Sequence, residues 1–280
     1  MLKIGQIDYA NCTPLFHVLK EQFPDSGYEF VTGVPTELNR MLLSGEIDVC
    51  PSSSIEYAYH PDHYSILPHL SISSVGVVGS VLLFSKVPIE NLNGCKIHLS
   101  SESATSVNLL KILISMRYGI SCTYEAAPPA AISPENDSTA RLLIGDSALR
   151  ANLKKSGQFV YDLGELWHSW TGLPFVFALW LCRAGVAGCA ELKKLSRQLV
   201  EAKELVSGQL EQIASHAKEA SWMGQDRLLA YWRDNISYQL DEHAKAGLML
   251  YYTKCFECGL IGEIPTLRFV QPDSADPVIV

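Results

Sequence analysis

Lys3-Ile4-Gly5-Gln6-Ile7-Asp8-Tyr9-Ala10-Asn11-Cys12-Thr13-Pro14 carries the reading of the fold. A short β-branched run from Lys3 to Asp8 ends in small and polar residues. Pro14 then suits the first turn of a helix, because its ring already fixes φ near the helical value. Leu15, Val18 and Leu19 supply that helix's apolar stripe at i, i+3, i+4. The next elements follow at short intervals. Tyr28–Val31 reads as a strand and Thr36–Ser44 as a helix with Leu38, Met41 and Leu42 on one face. Gly45 takes the usual place of a helix stop. Ile47–Cys50 is a third strand, followed by Ser52-Ser53-Ser54, where Ser53 and Glu56 fit a capping box that opens another helix. Three strands and their crossover helices within sixty residues predict a parallel sheet.

The layout then restarts. Lys96–Leu99 reads as a strand, Ser100–Ser106 as a serine-rich turn, and Val107–Tyr118 as a helix stopped by Gly119. Thr123–Ala126 is strand-like, and 127–139 is a connection rich in Pro, Ala and Ser. Arg141–Ile144 is a strand ending in Gly145-Asp146-Ser147, with a helix over 148–155. The apolar stretches Val75–Phe84 and Leu173–Cys182 predict buried strands with their flanks. They are about ten residues long, half of what a membrane helix needs. Ala190–Ala217 is a long amphipathic helix, and Gln225–Asn235 and Asp241–Cys258 are two more, expected to pack outside one lobe. The fold expected is α/β and two-lobed. Each lobe is a βαβ-built mixed sheet flanked by helices, with a ligand cleft between, as in type II periplasmic binding proteins. Lobe I would take residues 1–87 and 184–280, and lobe II residues 88–183.

Composition narrows the function. The 280 residues are 48% hydrophobic and 19% charged, which predicts a folded chain. A formal net charge of −8 and a pI near 5.5 argue against nucleic acid as a partner. The N-terminal residues show no apolar signal core, so a cytoplasmic location with eight reduced cysteines is expected, and no membrane partner. The sequence has no GxGxxG, GxxxxGK[ST] or G-x-S-x-G. Cys255-x-x-Cys258 and His60-Pro61-Asp62-His63 each fall short of a zinc shell.

Ligands in open parallel sheets bind beyond the carboxyl ends of the strands. Polar residues concentrate there in this chain: Asn11 and Thr13, Ser52 to Ser54, Ser103 to Ser106, Asp146 and Ser147. Helix N-termini present free N–H groups and a positive dipole end, which suits a small dianion without Lys or Arg. The same residue types also cap helices for structural reasons. Asp146 is the one carboxylate in the set, so a strong general base is missing. Cys12 beside Asn11 invites a nucleophile reading, against the commoner role of a small packed thiol. Trp167 and Trp170 read as packing or hinge residues.

Seven stretches in register make the resemblance to a known family. They are Ile4–Leu15, Gly33-Val34-Pro35-Thr36-Glu37-Leu38-Asn39, Ser53-Ser54-Ile55-Glu56-Tyr57 and Gly79-Ser80-Val81-Leu82-Leu83. Ser103-Ala104-Thr105-Ser106-Val107, Leu143–Leu149 and Trp170–Phe177 complete the set. Together they resemble the chorismate dehydratase family of menaquinone biosynthesis by the futalosine route, with departures at Ala10 and Thr13. The resemblance implies a cofactor-free lyase that removes water from chorismate, a small dianion, to give 3-[(1-carboxyvinyl)oxy]benzoate. It implies Asn11 and Ser80 as catalytic residues. It also implies Ser53, Ser54, Thr105, Ser106, Gly145 and Asp146 as substrate-binding, with no metal. Two alternatives stand beside it. One is the later-pathway sibling, 1,4-dihydroxy-6-naphthoate synthase, for which a catalytic His is expected; no His falls in the strand-end cluster. The other is a small-anion-binding protein without catalysis.

Overall fold

A computed structural model describes residues 1–24, 26–127, 138–154 and 157–271. The first unit runs β1 (Lys3–Ile7), α1 (Thr13–Gln22), β2 (Glu29–Gly33), α2 (Pro35–Ser44), β3 (Val49–Ser53) and α3 (Ser54–Tyr59). Both β2 and β3 pair with β1 in parallel. Pro14 lies in the first turn of α1, and Gly45 closes α2 at φ 80°, a left-handed value that glycine adopts without strain. Tyr64–Ser74 (β4) and Val81–Ser85 (β5) follow. The second unit is β6 (Lys96–Ser100), α4 (Ala104–Ile112), β7 (Thr123–Ala127), β8 (Ala140–Ile144) and α5 (Gly145–Leu153). Here β7 and β8 pair with β6 in parallel. Phe159–Asp162 (β9), Leu163–Thr171 (α6) and Phe175–Arg183 (β10) lead to the C-terminal helices. These are α7 (Ala190–His216), α8 (Ala220–Met223), α9 (Gln225–Ala230) and α10 (Glu242–Glu257).

The strands form two five-stranded sheets of matching order, β2-β1-β3-β10-β4 and β7-β6-β8-β5-β9. In each, three parallel strands are followed by one antiparallel strand, β10 on β3 and β5 on β8. The chain therefore leaves the first sheet after Ser74 and returns at Phe175. Taken as lobes, the sheets put the two crossings in the loops 75–80 and 172–174, where the sequence reading put them near Val87 and Arg183.

Several elements differ from expectation. The strand within Val75–Phe84 begins only at Val81, because Gly76 and Gly79, both at positive φ, turn the chain and leave Val75 and Val77 exposed. The turn before α4 is shorter than expected, since α4 starts at Ala104 and continues through one π-turn to Arg117. Helix α5 likewise begins at Gly145 and not at Ala148. β4, β9 and α6 were not anticipated. β4 carries Pro68, four serines and a positive-φ His69, and its pairing with β10 slips register twice, so no clean alternation marks it. The Ser53–Glu56 capping box does not form. Ser53 makes no side-chain cap bond, and Glu56 instead accepts from the Tyr64 hydroxyl at 3.0 Å. Most of the connection 127–139 and the end of the helix expected over 148–155 lie outside the described residues.

The C-terminal helices do not stay on one lobe. α7 packs along α1 and β4 of the first sheet. α10 ties both sides together: the Tyr252 hydroxyl donates to the Ser54 carbonyl at 2.6 Å, and Tyr251 to the Thr105 carbonyl at 3.2 Å. Near α8, the Trp222 ring lies 3.9 Å beneath the Arg150 guanidinium of α5. Trp167 is fully buried, its ring edge-on to Phe175 and Tyr251 and its indole N–H bonded to the Pro174 carbonyl, a packing residue at the second crossing.

Candidate active site

A cleft opens where the carboxyl ends of β1, β3, β6 and β8 come together. It holds about 520 Å³ of empty space, counting its mouth and the solvent open to it. Ile72, Val78, Ile144 and Phe177 make its apolar wall, and Tyr9, Asn11, Ser53, Ser80, Ser103 and Ser106 its polar one. Among the described lining residues there is no Lys, Arg, His, Asp or Glu. Nor, among the described residues, do three His, Cys, Asp or Glu side chains gather as a metal would require. No helix among them is long and apolar enough to cross a membrane.

Of the residues singled out from sequence, Asn11, Ser53, Ser80, Ser106 and Gly145 line the cleft; Ser54, Thr105 and Asp146 are not among the lining residues. Asn11 sits on the turn between β1 and α1. Its carbonyl accepts from the Tyr238 hydroxyl at 2.7 Å, which fixes the backbone, while its side-chain Oδ1 is buried without a partner. Ser80 ends the first crossing loop. Its Oγ accepts from the Tyr231 hydroxyl at 2.9 Å. Burial holds that phenol far above its ordinary pKa, so it remains the donor, and the serine's own proton is left for another acceptor. Ser106 and Ser103 share the N-terminal turn of α4: the Ser103 hydroxyl accepts from the Ser106 N–H and meets its Oγ at 3.2 Å. Gly145 opens α5 at φ +55°. Its N–H is engaged by the Ser80 carbonyl at 2.8 Å, and a Cβ there would lie 2.9 Å from the Tyr9 ring.

The other three residues form a seam between the lobes. Thr105 Oγ1 accepts from the Ile55 N–H at 3.1 Å and lies 3.4 Å from the Ser54 hydroxyl. Asp146 Oδ1 accepts from the Ala10 N–H at 2.9 Å, and burial raises its pKa despite that bond. The departures at Ala10 and Thr13 belong to this region too. Ala10 is buried with its carbonyl bound by the Trp232 indole, and Thr13 donates to Glu219 at 3.0 Å. Cys12 is buried, and desolvation followed by the Asp146 charge pushes its thiol far up, which removes the thiolate a nucleophile needs.

Sequence reasoning placed Ser103 in the polar strand-end cluster without a role of its own, and it missed Tyr9, Tyr231 and Asp162 as site residues. Asp162 accepts from the N–H groups of Val78 and Gly79, at 3.1 and 2.6 Å, and from Glu165 at 3.1 Å. It thereby caps α6 and pins the loop that delivers Ser80. Its signature was present as Asp162-Leu163-Gly164-Glu165, an Asp with Glu three residues on. Tyr231 is 151 residues from Ser80 and has no local signal at all.

Residues 2–257 match a protein family described as "Menaquinone biosynthesis". A chorismate dehydratase from Thermus thermophilus is 34% identical over 264 residues, covering 89% of this chain and 93% of that protein. A crystal structure from Archaeoglobus fulgidus superposes with a TM-score of 0.75 at 21% identity, covering 93% of this chain and 98% of that one. The periplasmic aliphatic sulphonate binding protein SsuA from Escherichia coli gives 0.68 at 19% identity, covering 99% and 94%. These two likenesses show the periplasmic-binding-protein fold.

Proposed function

The chain belongs to the menaquinone-biosynthesis family, and from that premise we propose that it is a chorismate dehydratase, a carbon–oxygen lyase working in the cytoplasm. One observation carries the reading: Asn11 and Ser80 face a cleft with unused hydrogen-bonding capacity and, among its described lining residues, no charged side chain. Chorismate is a small dianion, and the N-terminal turns of α4 and α5 border the cleft, offering partial positive charge without a cation.

Elimination gives an aromatic ring, so the driving force is large and the protein's part is orientation and electrostatics. The ring proton to be lost is vinylogous to the ring carboxylate, and the charge that develops spreads onto that carboxylate. Ser106 with Ser103, at the start of α4, anchor one carboxylate; Ser53 and the opening turn of α5 at Gly145 border the same space. Thr105, Ser54 and Asp146 act behind this wall, by holding the lobes together. Asn11 Oδ1 accepts from the ring hydroxyl and orients it. Ser80, whose oxygen is held by Tyr231, turns its proton toward the departing oxygen. With no basic side chain in the described lining, the enolpyruvyl carboxylate of chorismate takes the ring proton. The C–H electron pair becomes a ring π bond, the C–O pair leaves with the hydroxyl, and the abstracted proton completes the water.

The test is to mix purified protein with chorismate, adding no cofactor or metal, and to follow products by chromatography and mass. An aromatic product lighter by one water is expected. Chorismate that remains unchanged while protecting the protein against heat would make it a binding protein of the SsuA kind and overturn the enzyme reading.

A further inference from the structure

Tyr9 is a large residue of the cleft; it lies in the Ile4–Leu15 stretch, but the elimination chemistry above gives it no role. It lines the cleft from the β1–α1 turn, yet its hydroxyl is buried and has no hydrogen-bond partner. The ring is held in place from across the cleft. It lies against Gly145, at the start of α5, at a distance that leaves no room for a Cβ. Glu102, the residue immediately before Ser103, is close enough for its carboxylate to act directly on the phenol. Burial first, and the Glu102 charge second, hold the phenol well above its ordinary pKa. It is therefore a lasting proton donor beside the N-terminal turn of α4, with the Glu102 carboxylate as its one neighbouring acceptor and no well-formed hydrogen bond to it.

A buried donor left unsatisfied destabilises the fold that contains it, and such groups need a reason. We propose that Tyr9 reads the substrate: its hydroxyl donates to the same carboxylate that Ser103 and Ser106 hold, so that one carboxylate is clasped by both lobes. The inference rests on the chorismate reading above. Glu102 is half-buried and can turn toward water as the substrate carboxylate takes its place beside the phenol. Tyr9 thereby ties substrate binding to lobe closure, because its partners lie on the opposite lobe.

Tyr9→Phe keeps the ring on Gly145 and removes only the hydroxyl. A site built to hydrogen-bond a group loses about ten- to a hundredfold when the bond to a charged acceptor is removed. The expected result is a KM for chorismate raised by about that factor, with kcat changed much less, since the bond is made in ground state and transition state alike. The melting temperature without chorismate should stay level, because no well-formed hydrogen bond is lost, while the upward shift caused by chorismate shrinks. A merely structural tyrosine would give the opposite pattern, a lower melting temperature with KM unchanged, and that would overturn the proposal. A KM equal to the parent's with equal stability overturns it as well. If the parent protein itself neither converts nor binds chorismate, the functional reading falls and this inference falls with it.

Discussion

Two groups of residues stand around the cleft end of the two sheets and are built from similar small polar residue types. Asn11, Ser80 and Ser106 line the cleft; Ser54, Thr105 and Asp146 hold the seam a few residues away. The difference is in hydrogen bonding. At the seam the Thr105 and Asp146 oxygens already accept backbone N–H groups from the opposite lobe. In the cleft Asn11 Oδ1 has no partner, and Ser80 accepts from Tyr231 and keeps its proton free. A polar strand end becomes a site only when the fold leaves part of its capacity unmet.

The sharpest way to break this division is to remove the cleft groups. Asn11→Ala and Ser80→Ala should each lower kcat by about a hundred- to a thousandfold, the usual effect of deleting one preorganised polar group. Circular dichroism should be unchanged. Near-normal rates in both would mean that the unmet groups are incidental.

The seam should answer in the other currency, stability. Thr105→Val keeps the shape of the side chain and leaves the Ile55 N–H without its acceptor, at a cost of about 1–3 kcal/mol. Chemical denaturation should show that loss, with turnover of the folded fraction little affected. A large fall in kcat at full stability would return Thr105 to the site.

This division was only half legible in the sequence. The βαβ units were, because Pro14, Gly45 and the apolar spacing of Leu15, Val18 and Leu19 are local signals. The polar strand ends were also visible. Which of them face ligand was not, since that depends on partners such as Tyr231, Tyr238 and Ile55, brought in from 151 and 227 residues away or from the opposite lobe. Tyr9 went unnoticed for the same reason. A tyrosine after a strand is unremarkable until Gly145 and Glu102 are seen around it.

Asp146 sharpens the comparison through pH. Its folded pKa is raised above the ordinary 3.8, chiefly by burial. A carboxyl that holds its proton more tightly when folded contributes stability that is present below pH 3.8 and lost as pH climbs through the raised value. Asp146→Asn can still accept from the Ala10 N–H but has no proton to lose. Melting temperatures measured upward from pH 3.8 should therefore fall less steeply in the variant. Asp162, shifted in the same direction, keeps part of the slope. An identical slope would mean that the Asp146 charge is as well solvated in the folded chain as in the unfolded one.

The smallest effect is expected at Glu102, and it separates two sources of the missing base. Glu102 is a carboxylate beside the cleft that the lining does not include, close enough to act on Tyr9 and held through its N–H by the Ser100 hydroxyl at 3.3 Å. Were it the group that takes the ring proton, Glu102→Gln would abolish a general base and cut kcat by about a hundredfold or more. If the substrate's own carboxylate does that work, Glu102 is only a like charge near Tyr9. Its removal then leaves kcat almost unchanged and lowers KM by about two- to threefold, an advantage that fades as salt screens the repulsion. Measuring both constants at low and high ionic strength decides between them, because a lost base lowers kcat at either.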